Sequence, residues 1–76
     1  LLFYRGAVAN RFDETGKSVK LLQKYIKKAD KNQLHLVEAY ELLADNYTKK
    51  FEYGKAADAY KLLLDNFRSK LDAERI

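Results

Sequence analysis

Few side chains in this sequence are of the types that carry out catalysis. His35 is the single histidine, and the chain has no cysteine. A nucleophilic mechanism needs a hydroxyl or thiol that is partnered by a base. Asp13 and Glu14 are adjacent but stand in a predicted turn with no third ligand, and the glycines are isolated. The serines and threonines fall at helix-packing or capping positions: Ser18, Ser69, Thr15 and Thr48. We therefore expect no enzyme activity, and no cofactor or metal site.

Lysines are concentrated in the second predicted helix, where five of them follow one side: Lys20, Lys24, Lys27, Lys28 and Lys31. A stripe of this kind can contact nucleic-acid phosphate or an acidic protein surface. Aromatic residues do not interleave with the lysines as a base-stacking surface would require, and Leu22 and Ile26 occupy the other side of the helix. A solvated outer face is the favoured interpretation, and nucleic-acid binding is the less favoured one.

Three carboxylates form a second charged surface, on the third predicted helix. Glu38, Glu41 and Asp45 are spaced by three and four residues, so they share one side of that helix. An acidic surface favours a basic or polar partner, although exposed helix faces are usually charged whether or not they bind one.

The composition favours a small helical unit. The chain has 76 residues and no proline, which is the residue that most strongly interrupts helices. Residues 1–35 hold 8 basic and 3 acidic side chains (net +5), and residues 36–76 hold 7 and 8 (net −1), which together make the overall +4. No apolar run approaches the roughly 18 residues that span a bilayer. Because methionine is absent and the chain opens on apolar residues, we expect a fragment of a longer protein.

Apolar residues recur at helical spacing, most clearly in the second half. One stripe contains Val37, Tyr40, Ala44, Tyr47 and Phe51, and the next contains Tyr53, Ala56, Ala57, Tyr60, Leu63, Leu64 and Phe67. The short segment 49–52 between them predicts a tight turn and two antiparallel helices. The first half predicts a helix to about residue 12, a turn at 13–16 and a second helix to about 29. Asn32 is the expected N-cap of the third helix.

Two further signals concern the end of the chain and an internal repeat. The segment Ser69-Lys70-Leu71-Asp72 resembles a capping box and predicts the start of a fifth helix. The two halves align at an offset of 38 residues, which pairs Gly6 with Ala44, Ser18 with Ala56 and Leu22 with Tyr60. Small residues match small ones, which predicts close helix contacts at those positions, and tyrosines are expected to fill the remaining space.

Residues 37–70 resemble a tetratricopeptide repeat, with matching residues at Tyr40, Leu43, Ala44, Tyr47, Ala56 and Tyr60. A degenerate first copy has Leu2, Gly6, Ala9, Ser18 and Leu22 at the same spacings. Leucine and tyrosine are usual in the family where Arg5 and Ala9 stand, and its closing proline is replaced by Asp30 and Arg68. The resemblance implies an all-α fold of antiparallel helix-turn-helix repeats from an α-solenoid. The two repeats would cover about 1–29 and 33–67, and a further helix would start at about 69–76.

The resemblance also implies a function, a non-catalytic module that binds a protein or peptide on its concave face. Carried onto this sequence, that face contains Phe3, Ala7, Asn10, Arg11, Glu38, Glu41, Asp45 and Lys49, with Leu42 nearby. The expected partner is a basic or polar extended segment, because the groove is acidic. Glu41 and Asp45 stand where some family members place the lysine and asparagine of a carboxylate clamp, which argues against recognition of an acidic tail. Self-association through the end helices is a further expectation, since fewer than three repeats rarely suffice for stability. The alternative is an accessory helical domain of a larger enzyme such as a hydrolase.

Overall fold

The computed structural model describes residues 2–29 and 35–74, apart from the side chains of Phe67 and of residues 69–74. Within this part of the chain the fold is all-helical, with four helices and no strand: α1 (Leu2–Arg11), α2 (Thr15–Lys28), α3 (Leu36–Lys49) and α4 (Tyr53–Glu74). Three-residue connections join α1 to α2 and α3 to α4, so each pair forms a helical hairpin. The all-α class, the two hairpins and the turn at 49–52 are therefore confirmed.

Both hairpin turns are built in the same way. Asp13 and Phe51 have left-handed backbone angles, with φ of 59° and 62°. After each of them, the next amide reaches back to close the preceding helix: Glu14 N donates to Ala9 O, and Glu52 N donates to Tyr47 O. This is the Schellman arrangement, which satisfies the last carbonyls of a helix. The two turns are 38 residues apart, so the repeat seen in the side chains is also present in the backbone.

Small residues lie where helices approach closely, as expected. Gly6, Ser18, Ala44 and Ala56 are all buried. A Cβ atom placed on Gly6 would lie 2.8 Å from Leu22 Cγ, and Leu22 is fully buried. The larger core residues come from the first three helices: Phe3, Leu22, Tyr40 and Leu43. α3 adds Ala39 and Ala44, and α4 adds Ala56 and Ala59. The contacts of α2 with α3 join the two hairpins.

The three repeat tyrosines are not equivalent. Tyr40 is buried and accepts a hydrogen bond from Asn66, and Tyr47 is half-buried and accepts one from Gln23. Tyr60 is 48% exposed, so the expectation that it fills interhelical space is wrong within the described residues. The reason is positional, because Tyr60 borders an open groove between α3 and α4, and no further described helix packs over it.

The expected fifth helix is not formed. α4 continues without interruption through Ser69 to Glu74. No proline or glycine occurs after Gly54, so nothing in the sequence forces the helix to end before the capping-box pattern. The third helix begins at Leu36 with His35 as N-cap, and the His35 side chain makes no capping hydrogen bond. Asn32, the expected cap, lies outside the described residues.

The close approach at Gly6 leads to a stability prediction. Gly6→Ala adds helix propensity but forces a methyl group into Leu22, which is enclosed and cannot move away. We expect a net loss of about 1–2 kcal/mol in the free energy of unfolding, measured in urea. The control is Gly54→Ala, also in a helix, where the new Cβ would meet nothing within 4 Å. It should be neutral or stabilising by up to about 1 kcal/mol. Equal effects of the two substitutions would contradict the close contact.

Candidate functional site

Two of the expected concave-face residues are in the core. Phe3 is 6% exposed, and its ring stacks on His35 at a centroid distance of 4.4 Å and an interplanar angle of 5°. Asn10 is also 6% exposed. The expectation that these two residues line a partner-binding surface is therefore wrong. The side of α1 that carries them turns toward α2 and α3, because Gly6 on the same side allows α2 to approach closely.

Asn10 belongs to a buried chain of hydrogen bonds that crosses three helices. Its amide donates to Asn46 Oδ1 at 2.9 Å. The Asn46 amide donates to Ser18 Oγ at 2.7 Å, and Ser18 Oγ donates to the Gly6 carbonyl at 2.7 Å. Asn46 and Ser18 are fully buried. Each buried polar group is thus satisfied by another, which is the condition under which burial of such groups is tolerated.

Lys49 contacts the Asn10 end of this series of hydrogen bonds. Its Nζ lies 3.2 Å from Asp13 Oδ1 and 3.4 Å from Asp45 Oδ2, and it donates to the Asn10 carbonyl at 2.9 Å. Asp45 also accepts from the Asn10 amide. The hydrogen bond with Asp13 is the main reason that the pKa of Lys49 lies above the ordinary 10.5, and the charge of Asp45 adds to the shift while partial desolvation opposes it. Lys49 therefore acts as a clamp between the first turn and α3.

Three acidic residues of α3 line an open groove between α3 and α4. It measures about 410 Å³ and is lined by Glu38, Glu41, Leu42, Asp45 and Tyr60. All three carboxylate residues are exposed. Glu38 lies 3.6 Å from His35 Nδ1. The structure thus brings together Glu38, Glu41 and Asp45 as expected, and adds the apolar surfaces of Leu42 and Tyr60. We refer to these five residues as the acidic groove.

The other two expected residues lie away from this groove. Ala7 is half-buried and Arg11 is exposed, and neither lines the acidic groove. A second groove, of about 310 Å³, lies on the outer side of the first hairpin. Its lining includes Tyr4, Val8 and Phe12. Sequence reasoning missed it, although the spacing of four residues between these three would have placed them on one side of α1.

The lysine stripe is accessible as expected. Lys20, Lys24, Lys27 and Lys28 are exposed on α2, and the buried residues of that helix are Ser18, Leu21 and Leu22. Lys31, the fifth member, lies outside the described residues. The stripe therefore agrees with a solvated helix face.

Comparisons with known proteins add no relative. No protein-family model matches the chain, and no significant match is found among curated proteins or solved structures. The resemblance to tetratricopeptide repeats consequently rests on the residues themselves. None of the described helices is long and apolar enough to cross a membrane. In the same part of the chain, no three His, Cys, Asp or Glu side chains are grouped so that they could hold a metal ion.

The buried chain of hydrogen bonds predicts an asymmetry between two asparagines. Asn46→Leu removes two buried hydrogen bonds, and leaves the Asn10 amide only its bond to Asp45 and the Ser18 hydroxyl only its bond to the Gly6 carbonyl. We expect it to lower the free energy of unfolding by about 2–3 kcal/mol in urea titration. Asn66→Leu removes one partly buried hydrogen bond to Tyr40 and should cost at most about 1 kcal/mol. A smaller loss for Asn46→Leu than for Asn66→Leu would contradict the role of the network.

The Lys49 clamp predicts a pH dependence with a definite sign. A raised pKa in the folded state means that the clamp stabilises fully below the ordinary lysine pKa of 10.5 and is lost as the pH rises through the higher folded value. Lys49→Gln should therefore be less stable than Lys50→Gln at neutral pH, and the difference should close above pH 10.5. Lys50→Gln removes the same charge at the exposed neighbouring position. A difference in melting temperature that stays constant through this range would contradict the clamp.

Proposed function

We propose that this chain is a non-catalytic protein-interaction module that receives a basic or polar extended segment of a partner along α3. The observation that carries the proposal is the acidic groove, in which three exposed carboxylates stand beside Leu42 and Tyr60. Carboxylates accept hydrogen bonds from lysine, arginine and backbone amides, and the two larger side chains offer apolar surface. A segment with basic side chains and a few apolar ones fits that combination.

The charges around the groove support a basic partner. Glu38, Glu41 and Asp45 line it, and no lysine or arginine is among its lining residues. Lys49, the last residue of α3, is held by Asp13, Asp45 and the Asn10 carbonyl. Glu38 and Glu41 therefore project charge that is available to a partner, although contacts of this exposed kind give specificity and association rate more than affinity.

The internal repeat supports a protein-interaction role in which helical hairpins stack into a solenoid. The same turn geometry recurs after 38 residues, and two helical hairpins pack through α2 and α3. Helical-repeat proteins of the tetratricopeptide type stack such hairpins into a solenoid with an extended binding surface. We propose that the two hairpins here are units of such a solenoid. The proposal draws on the residue resemblance and on the backbone repeat.

The acidic groove is tested by reversing its charges. The probe is a synthetic peptide of about eight residues that contains lysine, arginine and serine, since an extended chain of that length outreaches the row from Glu38 to Asp45. Dilute protein should bind it, by fluorescence anisotropy at low salt, and the double variant Glu38→Lys/Glu41→Lys should bind at least about tenfold more weakly. A glutamate-containing peptide of equal length serves as the charge control.

A matched variant separates the groove from net charge. Asp58→Lys/Asp65→Lys changes the net charge by the same amount at two exposed positions of α4 that do not line the groove. It should retain most of the peptide binding. Equal losses in the two double variants, or binding of the glutamate peptide instead, would overturn the proposed site. Low-salt binding of an oligonucleotide that is lost on mutation of Lys24 and Lys27 would favour the lysine stripe.

A further inference from the structure

Two rows of exposed large side chains lie on the first and last helices. On the first helix and its end, the α1 stripe consists of Tyr4, Val8 and Phe12, which are 57%, 50% and 72% exposed. On the last helix, the α4 stripe consists of Tyr53, Ala57, Tyr60 and Leu64. Tyr53, Tyr60 and Leu64 are 61%, 48% and 61% exposed. The spacing of each set places its members on one side of the helix, and among the described residues α1 makes no contact with α4.

The α4 stripe corresponds to a surface that is covered elsewhere in the same molecule. Val19, Leu22 and Ile26 belong to the core cluster that contains α3 residues, and α2 packs directly on α3. The 38-residue repeat relates these three positions to Ala57, Tyr60 and Leu64. The side of α2 that α3 covers is thus the side of α4 that is exposed.

The α1 stripe shows the reciprocal relation. On α3, Leu42 packs against the core and Asn46 is fully buried against Ser18 of α2. The same shift relates Leu42 to Tyr4 and Asn46 to Val8. The position that α2 covers at Asn46 of α3 is therefore exposed at Val8 of α1. The exposed stripes on α4 and α1 therefore correspond to the two sides of the contact that α2 and α3 make within the chain.

We propose that copies of this chain associate head to tail, with the α1 stripe of one copy on the α4 stripe of another, in the manner in which α3 packs on α2. The charges agree with this pairing. Arg5, Lys17 and Glu14 line the groove beside the α1 stripe, whereas Glu38, Glu41 and Asp45 line the groove beside Tyr60. The contact therefore brings a groove with two basic residues and one acidic residue toward a groove with three acidic ones.

This contact is heterologous, because it joins two different surfaces. Each copy that is added presents a new free stripe, so association continues beyond a dimer unless one end is blocked. The inference shares Tyr60 with the acidic groove, but self-association does not require that the groove bind a peptide. The peptide titration uses dilute protein, whereas the association is measured on the chain alone, so the failure of one leaves the other standing.

The test uses two variants, each of which has one of the two stripes blocked. Val8→Asp places a charge in the α1 stripe, and Leu64→Asp places one in the α4 stripe. By sedimentation equilibrium over a roughly hundredfold concentration range, the wild-type mass should rise beyond that of a dimer of the 8.9 kDa chain. Each variant alone should associate at least about tenfold more weakly. An equimolar mixture should regain association and stop at two chains, because only one pair of intact stripes remains.

The mixture also guards against misfolding, since an unfolded variant could not restore association. Leu62→Asp is the matched control: Leu62 is 52% exposed on the same helix but is not in the α4 stripe, and this variant should associate as the wild type does. A wild-type chain that stays monomeric throughout, or a mixture that fails to pair, would overturn the inference. Self-association of the Leu64→Asp variant alone would indicate contact between two α1 stripes, and self-association of Val8→Asp alone would indicate contact between two α4 stripes.

Discussion

The buried hydrogen bonds from Asn10 through Asn46 and Ser18 to the Gly6 carbonyl connect the two hairpins of this protein. Apolar contacts alone would leave the hairpins free to slide, because alanine and leucine surfaces pack acceptably in several registers. A buried amide that loses its partner costs far more than a shifted methyl group. The α2–α3 contact is therefore held at one register, and the positions of all other surfaces follow from it.

That register explains why the two hairpins are similar but not interchangeable. Both have a left-handed residue at the same place in the turn and small residues at the hairpin contact. The contact between the hairpins uses the Asn10 and Asn46 side chains, which stand at positions where the other copy has different residues. Asn46 corresponds to Val8, and Asn10 to Thr48. Val8 is exposed because, within residues 2–29 and 35–74, no helix takes the place beside α1 that α2 takes beside α3.

The same contact determines which charged groups remain for a partner. Asn10 and one oxygen of Asp45 are engaged within the chain, and Lys49 is held between Asp13 and Asp45. These groups stabilise the fold through contacts within the chain. Glu38 and Glu41, one to two turns earlier on α3, face the acidic groove with Leu42 and Tyr60. Of the eight residues predicted on one face, Phe3, Asn10 and Lys49 thus have structural roles, whereas Glu38, Glu41 and Asp45 line the open groove.

The sequence by itself determined the four helices, the turn at 49–52 and the burial of the small residues, because these depend on local spacing and on side-chain size. It also placed Glu38, Glu41 and Asp45 together, since residues three and four apart on a helix are neighbours. The family resemblance predicted Phe3 and Asn10 on an open face, and the capping-box pattern at Ser69 predicted a helix start. Only the tertiary structure showed otherwise. Whether a side chain is buried depends on which helix packs over it, and Asn46 was missed because a lone asparagine carries no local sign of a buried partner 28 or 36 residues away.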